Sequence, residues 1–196
     1  MKPLLPMLAV ALVSLGCAHS PSTAAIATET APPSNQTLSQ FSLDAGTDGW
    51  QIENDSVMGG LSRGRLSVDE AGNAVFAGEI SLENDGGFSS IQRDFPSIDV
   101  SPYRALSLGL KGDGKRYQVR VESSPGERHA YAQDFQTSGD WQVVEIPFAD
   151  FYAIRHGDRL DLPNYPGRTL SRVQLLAGEG KAEAFRIEID RVWLVK

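Results

Sequence analysis

The most constraining feature of this chain is a series of short segments in which apolar and polar residues alternate, separated by glycine-rich turns. In one of them Tyr117, Val119 and Val121 alternate with polar residues, which gives a strand one buried face and one solvent-facing side. Related patterns predict strands at residues 65–68, 74–80, 103–110, 117–122, 130–135, 141–148, 172–176 and 185–195. About nine strands with this spacing, and no convincing helix, predict an all-β domain: an antiparallel jelly-roll β-sandwich.

Two local patterns refine this prediction. Residues 69–73 have the composition of a hairpin loop and would join the strands on either side of them. Residues 155–169 are polar and contain two prolines and two glycines, which is typical of a surface loop.

The N-terminal residues have a different composition from the domain. Lys2 precedes an uncharged apolar run, residues 4–15, and Gly16-Cys17 follows it. This order predicts a lipoprotein signal peptide over residues 1–16, with Cys17 becoming the lipidated N-terminus. Cys17 is the single cysteine of the chain, so it has no internal disulfide partner. The alternative is an ordinary signal peptide that is cut nearby.

Residues 17–38 are rich in Ser, Thr, Ala and Pro, and predict a disordered tether between the lipidated Cys17 and a single domain at residues 39–196. We therefore expect the chain in the cell envelope, held to a membrane by its lipid. Ala18, rather than Asp, follows the cysteine. In an organism with two membranes, this favours the outer membrane, with the domain facing the periplasm.

The charge of the chain excludes one class of partner. The formal net charge is −7, and removing Lys2 and Glu29 with the N-terminal segment leaves the balance unchanged. An acidic domain without a basic cluster argues against nucleic acid as a partner. No cofactor is predicted, and no metal site, because the acidic turns do not match the ligand spacing of a defined calcium loop.

Two sequence clusters have a composition that the turns of a β domain do not generally require. Each combines acidic or amide side chains with paired glycines. Their members are Asn54, Asp55, Ser56, Met58, Gly59, Gly60 and Ser62 in the first cluster, and Glu83, Asn84, Asp85, Gly86, Gly87 and Phe88 in the second. One interpretation is structural: the side chains fix two bulged turns, and Met58 and Phe88 turn inward. The other is functional: the polar side chains form a rim that contacts a ligand. The residue chemistry alone favours the structural interpretation.

Residues 54–62, 76–78 and 81–90 together resemble the complex I intermediate-associated protein 30 family. The resemblance continues through residues 103–106, 141–148 and 185–190, and it departs at residues 181–184, where the family more often has Gly-Pro before the Phe. It implies a galactose-binding-like jelly roll and a non-catalytic role. The mitochondrial relatives help to assemble respiratory complex I as chaperone-like factors, which for this chain implies an unidentified protein partner.

Three classes of function remain open from the sequence. The first is an envelope-anchored assembly factor or chaperone-like scaffold for a membrane-associated protein complex. The second is a carbohydrate-binding domain for envelope or extracellular glycans, with these candidate residues: Tyr117, Tyr131, Trp141, Tyr152, Tyr165, Gln133 and Arg120. Packing in the core or against a loop is the better explanation for each aromatic residue, and Trp141, which alternates with Val143, is expected in the core.

An enzyme is the least favoured class. His129 and His156 are the domain's histidines, and His156 lies in the predicted loop. The chain has no nucleophile elbow, no phosphate-binding glycine loop before a helix and no HExxH motif. No catalytic residue is therefore assigned.

Overall fold

The computed structural model describes residues 35–196; the predicted signal peptide, Cys17 and most of the predicted tether lie outside the described residues. The described chain forms thirteen strands, with 3₁₀ turns at Asp55–Met58, Glu83–Asp85 and Phe148–Asp150. The strands are β1 (Gln36–Gln40), β2 (Trp50–Asn54), β3 (Arg63–Val68), β4 (Ala74–Glu79), β5 (Ser89–Asp99), β6 (Ala105–Lys111), β7 (Arg116–Glu122), β8 (Ala130–Gln136), β9 (Trp141–Pro147), β10 (Tyr152–Arg155), β11 (Asp158–Arg159), β12 (Thr169–Ala177) and β13 (Ala184–Val195). In this part of the chain no helix is long and apolar enough to cross a bilayer.

The strands form two antiparallel sheets, which confirms the predicted β-sandwich. One sheet has six strands in the order β3-β4-β13-β6-β9, with β1 added along β13. The other has seven strands in the order β11-β10-β8-β7-β12-β5-β2. The predicted hairpin is confirmed as β3 and β4, which pair from Arg63 opposite Glu79 to Val68 opposite Ala74.

The core lies between the two sheets and is built from one face of each strand. On β7 the alternation is as predicted, because Tyr117, Val119 and Val121 are all buried. On β13 the same is true of Phe185 and Ile187. Burial of these side chains leaves the other face of each sheet toward solvent, and on the seven-stranded sheet that outer face is the surface described below.

The prediction that Trp141 belongs to the core is wrong. Trp141 is 48% exposed and Val143 is 62% exposed, whereas Ile146 on the same strand is buried. Strand β9 is at an edge of the six-stranded sheet, and its odd-numbered residues point outward. Because β9 carries apolar residues at both odd and even positions, the sequence pattern does not specify which set faces the core.

Two boundary predictions also need correction. The predicted tether extends through residue 38, but β1 begins at Gln36 and Leu38 is buried against the core. The predicted loop at residues 155–169 contains β11, and Tyr165 is buried within it. The Tyr165 hydroxyl donates a hydrogen bond to the Thr169 carbonyl oxygen at 2.7 Å, which allows this polar side chain to pack inside.

Candidate functional site

The two sequence clusters meet at one buried carboxylate. Asp55 is 1% exposed. Its Oδ1 accepts a hydrogen bond from the Ser62 amide at 2.9 Å, and its Oδ2 accepts from the Gly87 amide at 2.7 Å and the Phe88 amide at 3.3 Å. Burial alone would raise the pKa of Asp55, but hydrogen bonds from Ser62, Gly87 and Phe88 outweigh it and hold the pKa below its usual range. The carboxylate therefore stays charged and joins both clusters.

Further hydrogen bonds join the same two segments. The Asn54 side-chain oxygen accepts from the Gly64 amide at 2.9 Å and from the Ser89 hydroxyl at 2.7 Å. The Asn84 side-chain amide donates to the Gly59 carbonyl oxygen at 3.2 Å. The Ser62 hydroxyl donates to the Ser81 carbonyl oxygen at 3.2 Å and accepts from the Ser81 amide at 3.0 Å. Asn54 and Asp55 are thus occupied by the protein's own backbone and side chains.

The glycines of the clusters are required by this arrangement. A Cβ added at Gly60 would overlap the Asp55 carboxylate, and one added at Gly86 would lie 2.6 Å from Asp55 Oδ2. Gly59 has a φ of 94°, which a side chain would strain. The geometry therefore supports the structural interpretation for Asn54, Asp55, Gly59, Gly60 and Gly86.

The two apolar members of the clusters are more exposed than the sequence predicts. Met58, expected to turn inward, is 69% exposed, while Phe88 is half-buried. Leu61 and Leu82 are each 46% exposed. In sequence they are next to Ser62 and Ser81, which are hydrogen-bonded to each other. We call Met58, Leu61 and Leu82 the apolar rim. The surrounding polar members of the clusters are also exposed: Ser56, Glu83, Asn84 and Asp85.

A second surface, which the sequence clusters do not include, lies on the outer face of the seven-stranded sheet. Pairing between strands places one residue from each of six adjacent strands in a row: Tyr152, Ala132, Arg120, Gln174, Gln92 and Gln51. Directly paired residues point to the same face of a sheet, so the row is continuous. We call this surface, with the adjoining Gln118, Asp134 and Ile154, the polar groove.

Two adjoining cavities of about 200 Å³ and 180 Å³ share Arg120 and Ile154 in their walls. The β10–β11 turn supplies part of the wall through His156 and Gly157. Both residues have positive φ, 52° and 91°, as a two-residue type I′ hairpin turn requires. The groove therefore has a sheet as its floor and a tight hairpin turn at its side.

The side chains of the groove are held by hydrogen bonds. Arg120 Nε donates to Gln118 Oε1 at 2.6 Å, and Gln118 Nε2 donates to Asp134 Oδ1 at 2.7 Å and to the Tyr152 hydroxyl at 3.3 Å. The Arg159 guanidinium lies over the Tyr152 ring, 4.6 Å from its centroid. Burial lowers the pKa of Arg120.

Most of the residues proposed for sugar binding are structural. Tyr117, Tyr131 and Tyr165 are buried in the core. Gln133 pairs opposite the buried Val119 and so lies on the other face of β8 from the groove. The remaining two aromatic candidates are on different sheets: Trp141 is at the edge of the six-stranded sheet, and Tyr152 is in the groove with Arg120. The groove could have been found from the sequence only by knowing the strand register.

Among residues 35–196, no three His, Cys, Asp or Glu side chains come together as a metal site. His129 lies 3.7 Å from the Glu127 carboxylate and packs edge-on against the Tyr131 ring. This arrangement gives His129 a packing role.

Comparison with known proteins gives one family and one fold. The family model described as complex I intermediate-associated protein 30 matches residues 39–189. No curated protein matches the chain. The family 11 carbohydrate-binding module of the cellulosomal cellulase Lic26A-Cel5E of Clostridium thermocellum has a similar structure, with a TM-score of 0.60 and 16% identity. The match covers 82% of this chain and 94% of the module.

Two further solved structures have the same fold. A family 11 module from Clostridium thermocellum, in complex with a β-1,3-1,4-mixed-linked tetrasaccharide, gives a TM-score of 0.58 at 16% identity, over 82% of this chain and 95% of that one. The agarase AgWH50C gives 0.57 at 9% identity, over 84% of this chain but 25% of its own length. At these identities the comparison establishes the jelly-roll fold.

Proposed function

Because this chain belongs to the complex I intermediate-associated protein 30 family, we propose that it is a non-catalytic assembly factor that holds a protein partner at a membrane. The observation that carries this proposal is the apolar rim: Met58, Leu61 and Leu82 are exposed on turns held rigid by the buried Asp55 carboxylate. A backbone that is already fixed loses little further conformational entropy when its exposed apolar side chains are bound, which favours a protein contact.

The proposed lipid on Cys17 would place this surface near the membrane. Confinement raises the effective concentration of a membrane-bound partner without any new contact. In this proposal the domain lies in the cell envelope, and the lipid supplies the membrane affinity that an acidic domain lacks.

The test is a comparison of variants in detergent-solubilised envelopes of the source organism. We would cross-link and purify the full chain as wild type, as Met58→Glu and as Leu61→Glu, and identify bound proteins by mass spectrometry. Leu162→Glu is the matched control, because Leu162 is 49% exposed in the loop after β11. We expect the same partner with wild type and Leu162→Glu, and at least a tenfold lower yield with the two rim variants. Equal yields from all four proteins would refute the rim as the contact.

A second candidate function is glycan binding, and the polar groove is the observation that favours it. Its amide, guanidinium and phenol groups are the kinds of group that bond sugar hydroxyls, and Tyr152 adds an aromatic ring. A jelly roll of the same fold is known in complex with a β-1,3-1,4-mixed-linked tetrasaccharide. Both functions fit one domain, because the apolar rim and the polar groove share no residue.

A further inference from the structure

The polar groove has Arg120 near its centre. Arg120 is on β7, paired with Ala132 on one side and Gln174 on the other, so its side chain rises from the middle of the sheet face. Ala132 itself is fully covered by its neighbours. The guanidinium is partly buried, and of its donors Nε is occupied by Gln118.

Within the described residues Arg120 forms no ion pair, in contrast to two neighbouring arginines. Arg116 pairs with Glu179, and Arg172 pairs with Asp94 at 2.6 Å and Glu122 at 3.1 Å. A desolvated cation without a paired anion is unfavourable, and it gains most from a ligand that brings a negative charge.

The carboxylates around the groove are largely engaged elsewhere. Glu122 and Glu179 belong to the ion pairs just described, and Asp134 accepts a hydrogen bond from Gln118. Glu127 accepts from the Ser123 amide at 2.7 Å. Asp134 and Glu53 both lie close enough to Arg120 to act on its charge, but neither is bonded to it. The groove therefore retains an unpaired cation although the chain as a whole carries a net charge of −7.

The rest of the row suits hydroxyl groups. Gln174 donates to the Ser90 hydroxyl at 3.0 Å and lies beside Gln92, and Gln51 continues the row onto the edge strand β2. Amide side chains carry both a donor and an acceptor, which is the pattern that vicinal hydroxyls require. Each cavity is small, so the row fits an extended ligand lying across the strands better than an enclosed one.

We propose that the polar groove binds a carboxylate-bearing saccharide, with the Arg120 guanidinium pairing with the sugar carboxylate and Gln174 and Gln92 bonding its hydroxyls. A planar guanidinium donates two parallel hydrogen bonds to a carboxylate, a pairing that a neutral sugar cannot provide. Tyr152 is held by Gln118 and Arg159, and the Arg159 guanidinium covers one face of its ring. This inference rests on the second candidate function, glycan binding.

The experiment is isothermal titration calorimetry on the full chain in detergent with two probes: tetragalacturonate and the neutral β-1,3-1,4-mixed-linked glucan tetrasaccharide. We expect the acidic probe to bind at least tenfold more tightly. Arg120→Gln should weaken its binding at least tenfold, whereas Arg65→Gln, an exposed arginine on the other sheet, should leave it unchanged. Raising the salt from about 50 to 500 mM should weaken binding of the acidic probe alone.

Two outcomes separate this inference from the function on which it rests. If the two probes bind equally and Arg120→Gln changes neither, glycan binding stands and the inference is overturned. If neither probe binds, both are overturned. Circular dichroism establishes that Arg120→Gln is folded; if it is not, Arg120→Lys replaces it. That variant keeps the charge but loses the planar fork, and should bind tetragalacturonate more weakly than wild type does.

Discussion

The Asp55 carboxylate oxygen lies 2.7 Å from the backbone nitrogen of Gly87, thirty-two residues further along the chain, and joins the turn after β2 to the turn before β5. Together with the amides of Ser62 and Phe88, this contact makes a buried charge into a cross-link between two loops. Both glycine-rich clusters are therefore parts of one structural unit. Their exposed members, and above all the apolar rim, are the part available for function.

Asp55→Ala is expected to lower the free energy of unfolding by about 3 kcal/mol, because it leaves three backbone amides without their buried acceptor. Urea denaturation measures the loss. Ser56→Ala is the control from the same cluster, since Ser56 is exposed, and it should stay within about 0.5 kcal/mol of wild type. An Asp55→Ala protein as stable as wild type would contradict the cross-link.

Gly60→Ala is expected to destabilise the domain by about 2 kcal/mol, because the added Cβ overlaps the Asp55 carboxylate and displaces it from its amides. Gly139→Ala is the matched control, since a Cβ there meets nothing within 4 Å. Thermal melting of the two variants should show a clear decrease for Gly60→Ala and almost none for Gly139→Ala. Equal melting temperatures would mean that the turn relaxes around the new methyl group.

Stability should fall in acid through Asp55. Its pKa in the folded protein is held below the ordinary 3.8, so it stabilises the fold above that value. This stability is lost as the pH falls through the depressed pKa. Relative to its own stability at neutral pH, Asp55→Asn should therefore lose less than wild type between about pH 4 and pH 2. Denaturation curves at several pH values measure both slopes, and parallel curves would contradict the assignment.

Substitutions on strand β9 test which of its two faces packs against the core, which the sequence pattern does not specify. Trp141→Ala should cost only about 1 kcal/mol, because half of the side chain is already in water. Ile146→Ala on the same strand should cost about 3 kcal/mol, since Ile146 is buried. Urea denaturation ranks the two, and the reverse order would mean that Trp141 faces the core.

The sequence predicts the fold class and most strands, because alternation on β7 and on the first half of β13 has an unambiguous phase. It did not predict β5, whose buried Ser89, Ser90 and Ile91 are followed by charged and proline residues with no clear alternation. Asp55 and Gly87 both lie in unusual sequence clusters, but their contact depends on tertiary structure. The row from Tyr152 to Gln51 depends on the register of six strands, which a single sequence does not encode locally.

The central position of β13 has a consequence for folding. Its first half pairs with β4, its second half with β1, and residues 188–195 with β6, so the six-stranded sheet depends on residues 184–195. Until these residues are available, β4 and β6 have no partner between them and the core has one open side. Because pairings between distant parts of the chain dominate the sheet, we expect the native domain to form slowly, and only after residues 184–195 are available. A chain truncated before β13 should remain an open, protease-sensitive polypeptide.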